Sequence, residues 1–407
     1  MTAVHQLVPV LHAGDAVGQH AMALQTMLRS RGADSEIFVE LEDPETVGVT
    51  RPVRELGSGG QRAGEVLVYQ FATASDLAGI VAARDEPLVV NYHNVTPPEL
   101  FAPWDNELAR HQVRARAELS LLAGRATLGV AVSEWNRRDL VEAGFGATVV
   151  LPPIVSRTTS VRLEAPAAAP GTVAREGADR GTVAREGARW LSVGRLAPNK
   201  ALEDAIAGLL AYRMRWDPRA ELLVVGKPAV PSYATALGSF VRELGLGDAV
   251  RFAGKVGDEE LARAYDDADV LVVTSEHEGF CLPAVEAMAR RVPVVAYAQG
   301  ALPEVVDGGG VLLDVKDPIS LSDAVHRLVS DQDRRAEVVE AGLARVGALD
   351  LETAGSRLVD LLLAVAEGGG ALGETGVAGG EEPRGAVGSP DVGGRAAGDL
   401  AVDGVSG

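Results

Sequence analysis

Short apolar runs alternate with longer amphipathic stretches along most of the chain. The runs are rich in valine and leucine and show little polar alternation, which is typical of strands buried on both faces of a parallel sheet. The stretches between them, such as 16–31 and 106–123, have helical periodicity. Repeated strand–helix alternation predicts an α/β protein with parallel sheets. The twelve runs span 4–11, 36–41, 66–71, 88–92, 126–132 and 148–151, followed by 190–194, 221–226, 249–254, 269–274, 293–296 and 310–313.

The runs form two sets of six, which predicts two doubly wound domains. Between the sets the octet GTVAREGA occurs twice, as expected of a duplication in an exposed loop. The final segment has 14 glycines and no aromatic residue, so we expect it to be disordered. We assign residues 1–162 to a first domain, 163–188 to a linker with the duplicated octet, 189–351 to a second domain, 352–366 to an amphipathic helix that can dock on either domain, and 367–407 to a tail.

Composition and charge exclude several classes of protein. The 407 residues carry a formal net charge of −19, which argues against nucleic acid as a partner and against a generally basic membrane-binding surface. The single cysteine, Cys281, excludes an internal disulfide and a cysteine-based zinc site. No apolar segment reaches the roughly 18 residues of a transmembrane helix. No lysine or arginine precedes Arg29, so no signal peptide is expected, and we predict a cytoplasmic bacterial protein.

Motifs that are missing narrow the chemistry further. The sequence has no GxxxxGK[ST] phosphate loop and no GxGxxG after the first predicted strand. It also lacks an HExxH zinc motif and a GxSxG nucleophile elbow. These absences argue against a P-loop nucleotide hydrolase, an ordinary dehydrogenase, a zinc enzyme and an α/β-hydrolase.

The segment 274–296 carries the densest candidate chemistry. It opens at the carboxyl end of a predicted strand, where open α/β sheets bind ligands. Glu278 and Glu286 stand eight residues apart, on either side of a predicted helix start near Phe280–Leu282 whose free amides suit an anion. A carboxylate accepts two hydroxyl hydrogens, so Glu286 can hold a ribose diol and Glu278 a sugar diol. The alternative is a helix with two surface glutamates, the first of them favoured by the helix dipole.

The same segment resembles the E-x7-E signature of the retaining family-4 glycosyltransferases, also called group 1. The match reads Glu278-GFCLPAV-Glu286, and Val193-GRLAPN-Lys200 resembles the family's VGR…K segment upstream. The resemblance is strong across 190–328 and weaker but continuous in the first domain. It implies the GT-B fold, in which two doubly wound, Rossmann-like parallel-sheet domains face a cleft. The first domain lies on the acceptor side, and the second binds the nucleotide-sugar.

The resemblance also implies roles for single residues of the second domain. Arg195 and Lys200 correspond to the pair that neutralises the donor diphosphate, whose negative charge grows as the glycosidic bond breaks. Glu278 corresponds to the sugar contact and Glu286 to the ribose contact. Val256 is expected near the base. The turn and helix-start residues Gly279, Phe280, Cys281 and Leu282 are expected to supply donor-binding amides.

Two residues of the first domain are implicated as well. His93 follows the predicted strand 88–92 and resembles the family histidine that meets the donor sugar near its anomeric carbon. The loop that begins at Gly14 resembles the glycine-containing loop that approaches donor phosphate and acceptor. The usual adjacent glycine pair is missing here, which leaves Gly18 as the donor-binding glycine. Catalysis by Cys281 is disfavoured because no base stands at a matching position.

The acceptor side also raises the question of membrane contact. In related enzymes with lipid acceptors, a basic helix of the first domain touches the membrane. The stretch 106–123 carries Arg110 and Arg114, but Glu107 and Glu118 interrupt the patch. A solvated helix with i,i+4 pairs is therefore favoured, and peripheral membrane contact is left open.

The function that follows from the resemblance is retaining transfer of a hexose from a nucleotide-diphosphate sugar to an acceptor hydroxyl. The implied course is a front-face displacement that needs neither metal nor cofactor, and we interpret Asp267 and Asp269 as structural. The acceptor is a small molecule, a lipid-linked sugar or a glycan. Alternatives are a sugar phosphorylase or nucleotide-sugar epimerase on the same scaffold, and a non-catalytic nucleotide-sugar-binding protein. The sequence does not identify the sugar, the nucleobase or the acceptor.

Overall fold

The computed structural model describes residues 2–12, 14–57, 64–154 and 187–368. The assigned linker up to residue 186, including the first octet, lies outside the described residues. So does the tail from residue 369. Within the described ranges, no helix combines the length and the apolar character needed to cross a membrane.

The first domain is built on a seven-stranded sheet in which every neighbouring pair is parallel. The order β3-β2-β1-β4-β5-β6-β7 reverses direction between β1 and β4, as in a Rossmann-type sheet. The carboxyl ends of β1 and β4 therefore border the crevice where such sheets bind ligands. The strands are β1 Ala3–Val10, β2 Ile37–Leu41, β3 Thr50–Pro52, β4 Glu65–Phe71, β5 Leu88–Tyr92, β6 Leu128–Ala131 and β7 Thr148–Val150.

The second domain repeats this plan with six parallel strands in the order β10-β9-β8-β11-β12-β13. Its direction reverses between β8 and β11, so the loops after these two strands meet at one crevice. The two sheets confirm the α/β fold class of two doubly wound parallel-sheet domains. The strands are β8 Arg189–Val193, β9 Glu221–Val225, β10 Val250–Gly254, β11 Val270–Val273, β12 Val294–Tyr297 and β13 Val311–Leu313.

Helices connect the strands, and several begin at a residue whose side chain caps the first turn. Asp15, Ser133 and Asp317 each accept a hydrogen bond from a backbone amide of the helix that follows. The first domain contains the helices Ala16–Ser30, Leu77–Ala82, Pro98–Phe101, Asn106–Ala123 and Glu134–Ala143. The second contains Leu202–Arg215, Pro231–Glu243, Asp258–Asp267, Leu282–Ala289, Leu302–Val306, Pro318–Ser330 and Gln332–Ala348, and the chain continues into Leu351–Ala366.

The helix Leu351–Ala366 leaves the second domain and packs on the first sheet. Its residues Leu358, Val359 and Leu362 share a buried cluster with Val4 and Leu24 of the first domain. At the surface, Arg31 and Asp360 form an ion pair of 2.9 Å between the first and the last helix of this face. The chain therefore crosses between the domains twice, once in each direction.

Candidate active site

The loop after β8 places Arg195 and Lys200 at the crevice of the second sheet. Gly194 has a φ of 151°, a conformation that favours glycine, and it turns the chain away from β8. Arg195 is exposed and forms no ion pair with any described residue. Lys200 ends the short 3₁₀ helix Pro198–Lys200, and both side chains border a small cavity together with Thr274 and Ser275 from the end of β11.

Lys200 and Glu278 are joined directly. The Lys200 ammonium lies 2.5 Å from Glu278 Oε1, which also accepts a hydrogen bond of 2.7 Å from the Ser275 hydroxyl. The Glu278 carbonyl accepts the Ala301 amide at 2.9 Å, so the backbone of this residue is fixed as well. The two predicted site residues thus form one partly buried pair, and Lys200 borders the crevice with a carboxylate beside it. Sequence reasoning missed Ser275, although its position three residues before Glu278 is a local signal.

The loop after β11 leads into the helix Leu282–Ala289 through strained backbone. Cys281 caps the helix with a φ of 74°, which is unfavourable for a residue with a side chain. Pro283 occupies the second helical position, where no intrahelical amide hydrogen bond is lost. The amides of Phe280, Cys281 and Leu282 surround this helix start, as an anion site requires. Burial raises the pKa of the Cys281 thiol to about 12, so the thiol stays protonated and is a poor nucleophile.

Glu286 lies inside this helix and is almost completely buried. Its Oε2 accepts a hydrogen bond of 2.8 Å from the hydroxyl of Tyr265, which projects from the helix Asp258–Asp267. The tyrosine holds the carboxylate in one orientation. Sequence reasoning missed Tyr265 because 21 residues of chain separate it from Glu286, and periodicity assigns it only to an apolar helix face.

The loop after β1 leads to two glycines, Gly14 and Gly18, which have different surroundings. The Gly18 amide donates to Asp15 Oδ1 at 2.7 Å as part of the helix cap, so it is not free for a phosphate. Gly14 is the glycine that faces the other domain, because a Cβ there would lie 3.1 Å from Lys255 Cε. Lys255 also lies 3.5 Å from Glu45 of the first domain. Gly14, and not Gly18, is thus the glycine of this loop that approaches the second domain.

Gly18 is required by packing at the start of the first helix. A Cβ at Gly18 would lie 1.9 Å from the carbonyl oxygen of His12, which is backbone and cannot rotate away. We expect Gly18→Ala to lower the free energy of unfolding by about 1–3 kcal/mol, as overpacked sites do. Denaturant unfolding measures the change.

Gly79→Ala is the matched control for this substitution. Gly79 lies in the helix Leu77–Ala82, where an added Cβ meets no atom within 4 Å. Because glycine disfavours helix interiors, this variant is expected to gain about 0.5–1 kcal/mol. Equal stability of the Gly18 and Gly79 variants would contradict the packing argument.

His93 follows β5, and its backbone amide donates to the Phe71 carbonyl at 2.9 Å. Its Nε2 lies 2.7 Å from Oε1 of Gln70, a buried side chain on the neighbouring strand β4. Burial lowers the pKa of the His93 imidazole to about 4, so the ring is neutral near neutral pH. His93 is thus placed at the carboxyl edge of the first sheet as an uncharged hydrogen-bonding group.

Backbone from the two domains meets at Gly279. A Cβ at this position would lie 2.7 Å from the His93 carbonyl oxygen and 2.7 Å from Asn94 Cβ. Beside it, His277 Nε2 and Asn94 Oδ1 are 2.8 Å apart and bridge the domains. Asn94 has a φ of 128°, which asparagine tolerates better than most residues with a side chain. Gly279 therefore permits a close approach of the second domain to the backbone of His93.

A second bridge between the domains is formed by Glu304. Its carboxylate accepts hydrogen bonds from the amides of Glu134 at 2.8 Å and Trp135 at 3.2 Å, at the start of the helix Glu134–Ala143. A carboxylate at a helix N-terminus is favoured by both hydrogen bonding and the helix dipole. Because Glu304 follows β12 of the second domain, this cap holds the domains together.

The structure places several of the predicted site residues close together. Arg195, Lys200 and Glu278 gather at the crevice of the second sheet, and Gly279 meets His93. Val256 lies after β10 and packs against the buried cluster that contains Phe280 and Cys281. Asp269 Oδ2 accepts the Arg189 amide at 2.9 Å, at the start of β8.

The second domain matches a family model described as "Glycosyl transferases group 1" over residues 180–345. Curated relatives extend the similarity into the first domain. The D-inositol 3-phosphate glycosyltransferase of Kineococcus radiotolerans is 29% identical over 378 residues, covering 79% of this chain and 84% of the relative. The enzyme of the same name from Thermomonospora curvata is 34% identical over 271 residues, covering 64% and 61%.

Solved structures share the fold at low sequence identity. Anabaena Alr3699/HepE, crystallised with UDP and glucose, has a TM-score of 0.67 at 18% identity and covers 89% of this chain and 99% of its own. Sucrose-phosphate synthase from Thermosynechococcus elongatus has a TM-score of 0.66 at 21% identity and covers 90% and 99%. Together with the two doubly wound sheets, these matches show that the chain has the GT-B fold and that its second domain is similar to the group 1 glycosyltransferases.

Proposed function

We propose that this glycosyltransferase moves a hexose from a nucleotide-diphosphate sugar to an acceptor hydroxyl with retention of configuration. One observation carries the proposal. The loop after β8 and the helix start after β11 bring Arg195, Lys200 and Glu278 to one crevice at the reversal point of the second sheet. An anionic leaving group and a polyol fit this combination of cations, amides and carboxylate.

The leaving diphosphate is the group that these cations would stabilise. Arg195 is exposed and unpaired among the described residues, so its guanidinium can turn toward a phosphate. Charge on the diphosphate increases as the glycosidic bond breaks, and fixed donors that meet this charge lower the barrier. The amides of Phe280, Cys281 and Leu282 at the helix start would share the same charge.

The carboxylates would hold the sugar and the ribose at opposite ends of the donor. Lys200 already neutralises Glu278, so a diphosphate beside Lys200 would place Glu278 next to the transferred sugar. Glu286 is held by Tyr265, and a carboxylate is the kind of group that accepts from a ribose diol. The acceptor would enter from the first domain, and a diphosphate oxygen would take its proton in the front-face displacement.

UDP-glucose is the donor to test first, because the related Anabaena structure contains UDP and glucose. D-inositol 3-phosphate is the first acceptor to test, since the curated relatives are named for it. An unphosphorylated polyol should accompany it. Every lysine of this chain lies in the second domain. The side chains of the first domain that could carry positive charge beside an acceptor phosphate are therefore arginines and histidines.

Release of nucleoside diphosphate, measured with and without acceptor, tests the proposal. Acceptor-dependent release with an α-linked product from an α-linked donor, determined by NMR of the anomeric proton, supports retaining transfer. An inverted product would overturn retention. Consumption of inorganic phosphate, or interconversion of two nucleotide-sugars, would point to the phosphorylase or the epimerase. Binding with no turnover of any donor would point to a non-catalytic binding protein.

Replacing Glu286 by alanine should weaken donor binding more than it slows the chemistry. A ribose contact is nearly the same in the ground state and the transition state, so we expect the KM for donor to rise about 10-fold with kcat within a few fold. Steady-state kinetics over a range of donor concentrations measures both constants.

Tyr265→Phe is the control, because it keeps the carboxylate and removes only the hydroxyl that orients it. Its KM should change less than that of Glu286→Ala. A large loss of kcat in Glu286→Ala with an unchanged donor KM would remove Glu286 from the ribose site.

A further inference from the structure

Three buried amide side chains lie side by side on adjacent strands at the reversal point of the first sheet. They are Gln6 on β1, Gln70 on β4 and Asn91 on β5. Gln6 Nε2 donates to the Ala21 carbonyl at 2.8 Å, and Gln70 Nε2 donates to Gln6 Oε1 at 2.8 Å. Burying three amides inside a sheet is unfavourable unless each one is hydrogen-bonded. They form a connected chain that ends at His93.

The donor-to-acceptor direction of this chain of amides is fixed at Gln6. A backbone carbonyl can only accept, so the amino group of Gln6 must face Ala21 and its oxygen must face Gln70. The amino group of Gln70 therefore faces Gln6, and its oxygen faces outward. Gln70 Oε1 then lies 2.7 Å from His93 Nε2 and 2.9 Å from Asn91 Nδ2, and both nitrogens must donate to it.

His20 lies at the other end of the network. The Ile154 amide donates to His20 Nδ1 at 2.9 Å, which leaves the proton of the neutral ring on Nε2. That nitrogen faces Asn91 Nδ2 at 2.8 Å, so two donors meet at this contact. In the orientation that the Ala21 carbonyl sets, the mismatched contact is the His20–Asn91 pair, one step away from the bond between Gln70 and His93.

We infer that Gln70 is a positioning residue that fixes His93 as the Nε2-protonated tautomer, which leaves Nδ1 as a hydrogen-bond acceptor. In this form His93 accepts from a substrate hydroxyl and cannot donate to one through its ring. The inference rests on the proposed function, in which His93 meets the donor sugar. It adds that the histidine recognises a hydroxyl hydrogen of that sugar.

The surroundings of His93 keep this tautomer neutral. Among the described residues, the titratable group in ring contact with it is His20, whose ring centroid lies 5.1 Å away in an edge-to-face arrangement. Burial lowers the pKa of His20 well below its ordinary value, and the neighbouring His93 lowers it further. Neither ring therefore carries a charge near neutral pH, and the Gln70 oxygen beside Nε2 favours the proton of His93 on that nitrogen.

Nitrogen-15 NMR of the full chain reads the tautomer directly, with His93→Gln used to assign the signal. We expect wild-type His93 to be Nε2-protonated at neutral pH. Gln70→Glu puts a carboxylate beside Nε2, and we expect it to raise the pKa of His93 by about 1–3 units and to shift the acid limb of the kcat profile upward. Gln70→Leu removes the acceptor and should give a mixture of tautomers.

Gln25→Glu is the matched control, because Gln25 is another buried glutamine of the first domain that donates to the Ser35 carbonyl instead. It should leave the tautomer and the pKa of His93 unchanged. An Nδ1-protonated ring in the wild-type protein would overturn the inference even if no Gln70 variant folds. An unchanged His93 pKa in folded Gln70→Glu would overturn it as well.

These NMR readings need no turnover, so they separate this inference from the proposed function. If the wild-type ring is Nε2-protonated and His93→Ala keeps full activity, the positioning by Gln70 stands and the sugar contact of His93 falls. If no donor is turned over at all, the tautomer result is unaffected.

Discussion

Arg195→Ala is expected to lower kcat about 100-fold or more at saturating donor. The side chain projects from the loop after β8 at the crevice of the second sheet, and it has no competing ion pair among the described residues. Removing a fixed donor from a developing negative charge typically has an effect of this size. Because the charge grows mainly in the transition state, the donor KM should change less than kcat.

Arg242→Ala provides the matched control for this loss. Arg242 is an exposed arginine at the end of the helix Pro231–Glu243, bonded only to the nearby Ser239 among the described residues. Its replacement should leave kcat unchanged. Arg195→Lys should recover part of the activity, because an ammonium keeps the charge but not the bidentate geometry. If Arg195→Ala retained more than about half of wild-type kcat, Arg195 would not stabilise the leaving group.

Gly279→Ala is expected to reduce kcat about 10- to 100-fold by keeping the domains apart. The added methyl would lie 2.7 Å from the His93 carbonyl oxygen, so either the backbone shifts or the cleft widens. A displacement of about 1 Å is enough to disturb the alignment of reacting groups. Small-angle scattering should show a larger radius of gyration for the variant than for the wild-type protein.

Gly247→Ala controls for an added methyl in the same domain, since a Cβ there meets no atom within 4 Å. It should leave both kcat and the radius unchanged. Retention of wild-type kcat and radius by Gly279→Ala would show that the contact with His93 and Asn94 does not set the working geometry of the cleft.

Most of the fold could be predicted because parallel sheets leave a clear signal in the sequence. Strands buried on both faces read as continuous apolar runs, and each of the twelve predicted runs overlaps a strand. The strand β3, Thr50–Pro52, was missed. It is three residues long, it lies at the sheet edge and it contains a proline, so no apolar run marks it.

The site could be predicted only where its residues are close together in the sequence. The segment around Glu278 and Glu286 is local, and so is the loop with Arg195 and Lys200. The pairing of Glu278 with Lys200 spans 78 residues, and the cap that Glu304 gives to Glu134 spans 170. The first contact depends on the pairing of β8 with β11, and the second depends on how the two domains are placed. The sequence also does not reveal that Gly14 approaches the second domain, because only the packed loop shows which glycine faces Lys255.

The helix Leu351–Ala366 affects how the protein can fold during its synthesis. Leu358, Val359 and Leu362 cover Val4 and Leu24, yet they are synthesised after the whole second domain. On the ribosome, the first sheet therefore keeps an uncovered apolar face until the second domain and this helix have been synthesised. A fragment that ends before residue 351 would retain that face permanently and would tend to aggregate. The two domains are thus separate as folds but are not independent units of biosynthesis.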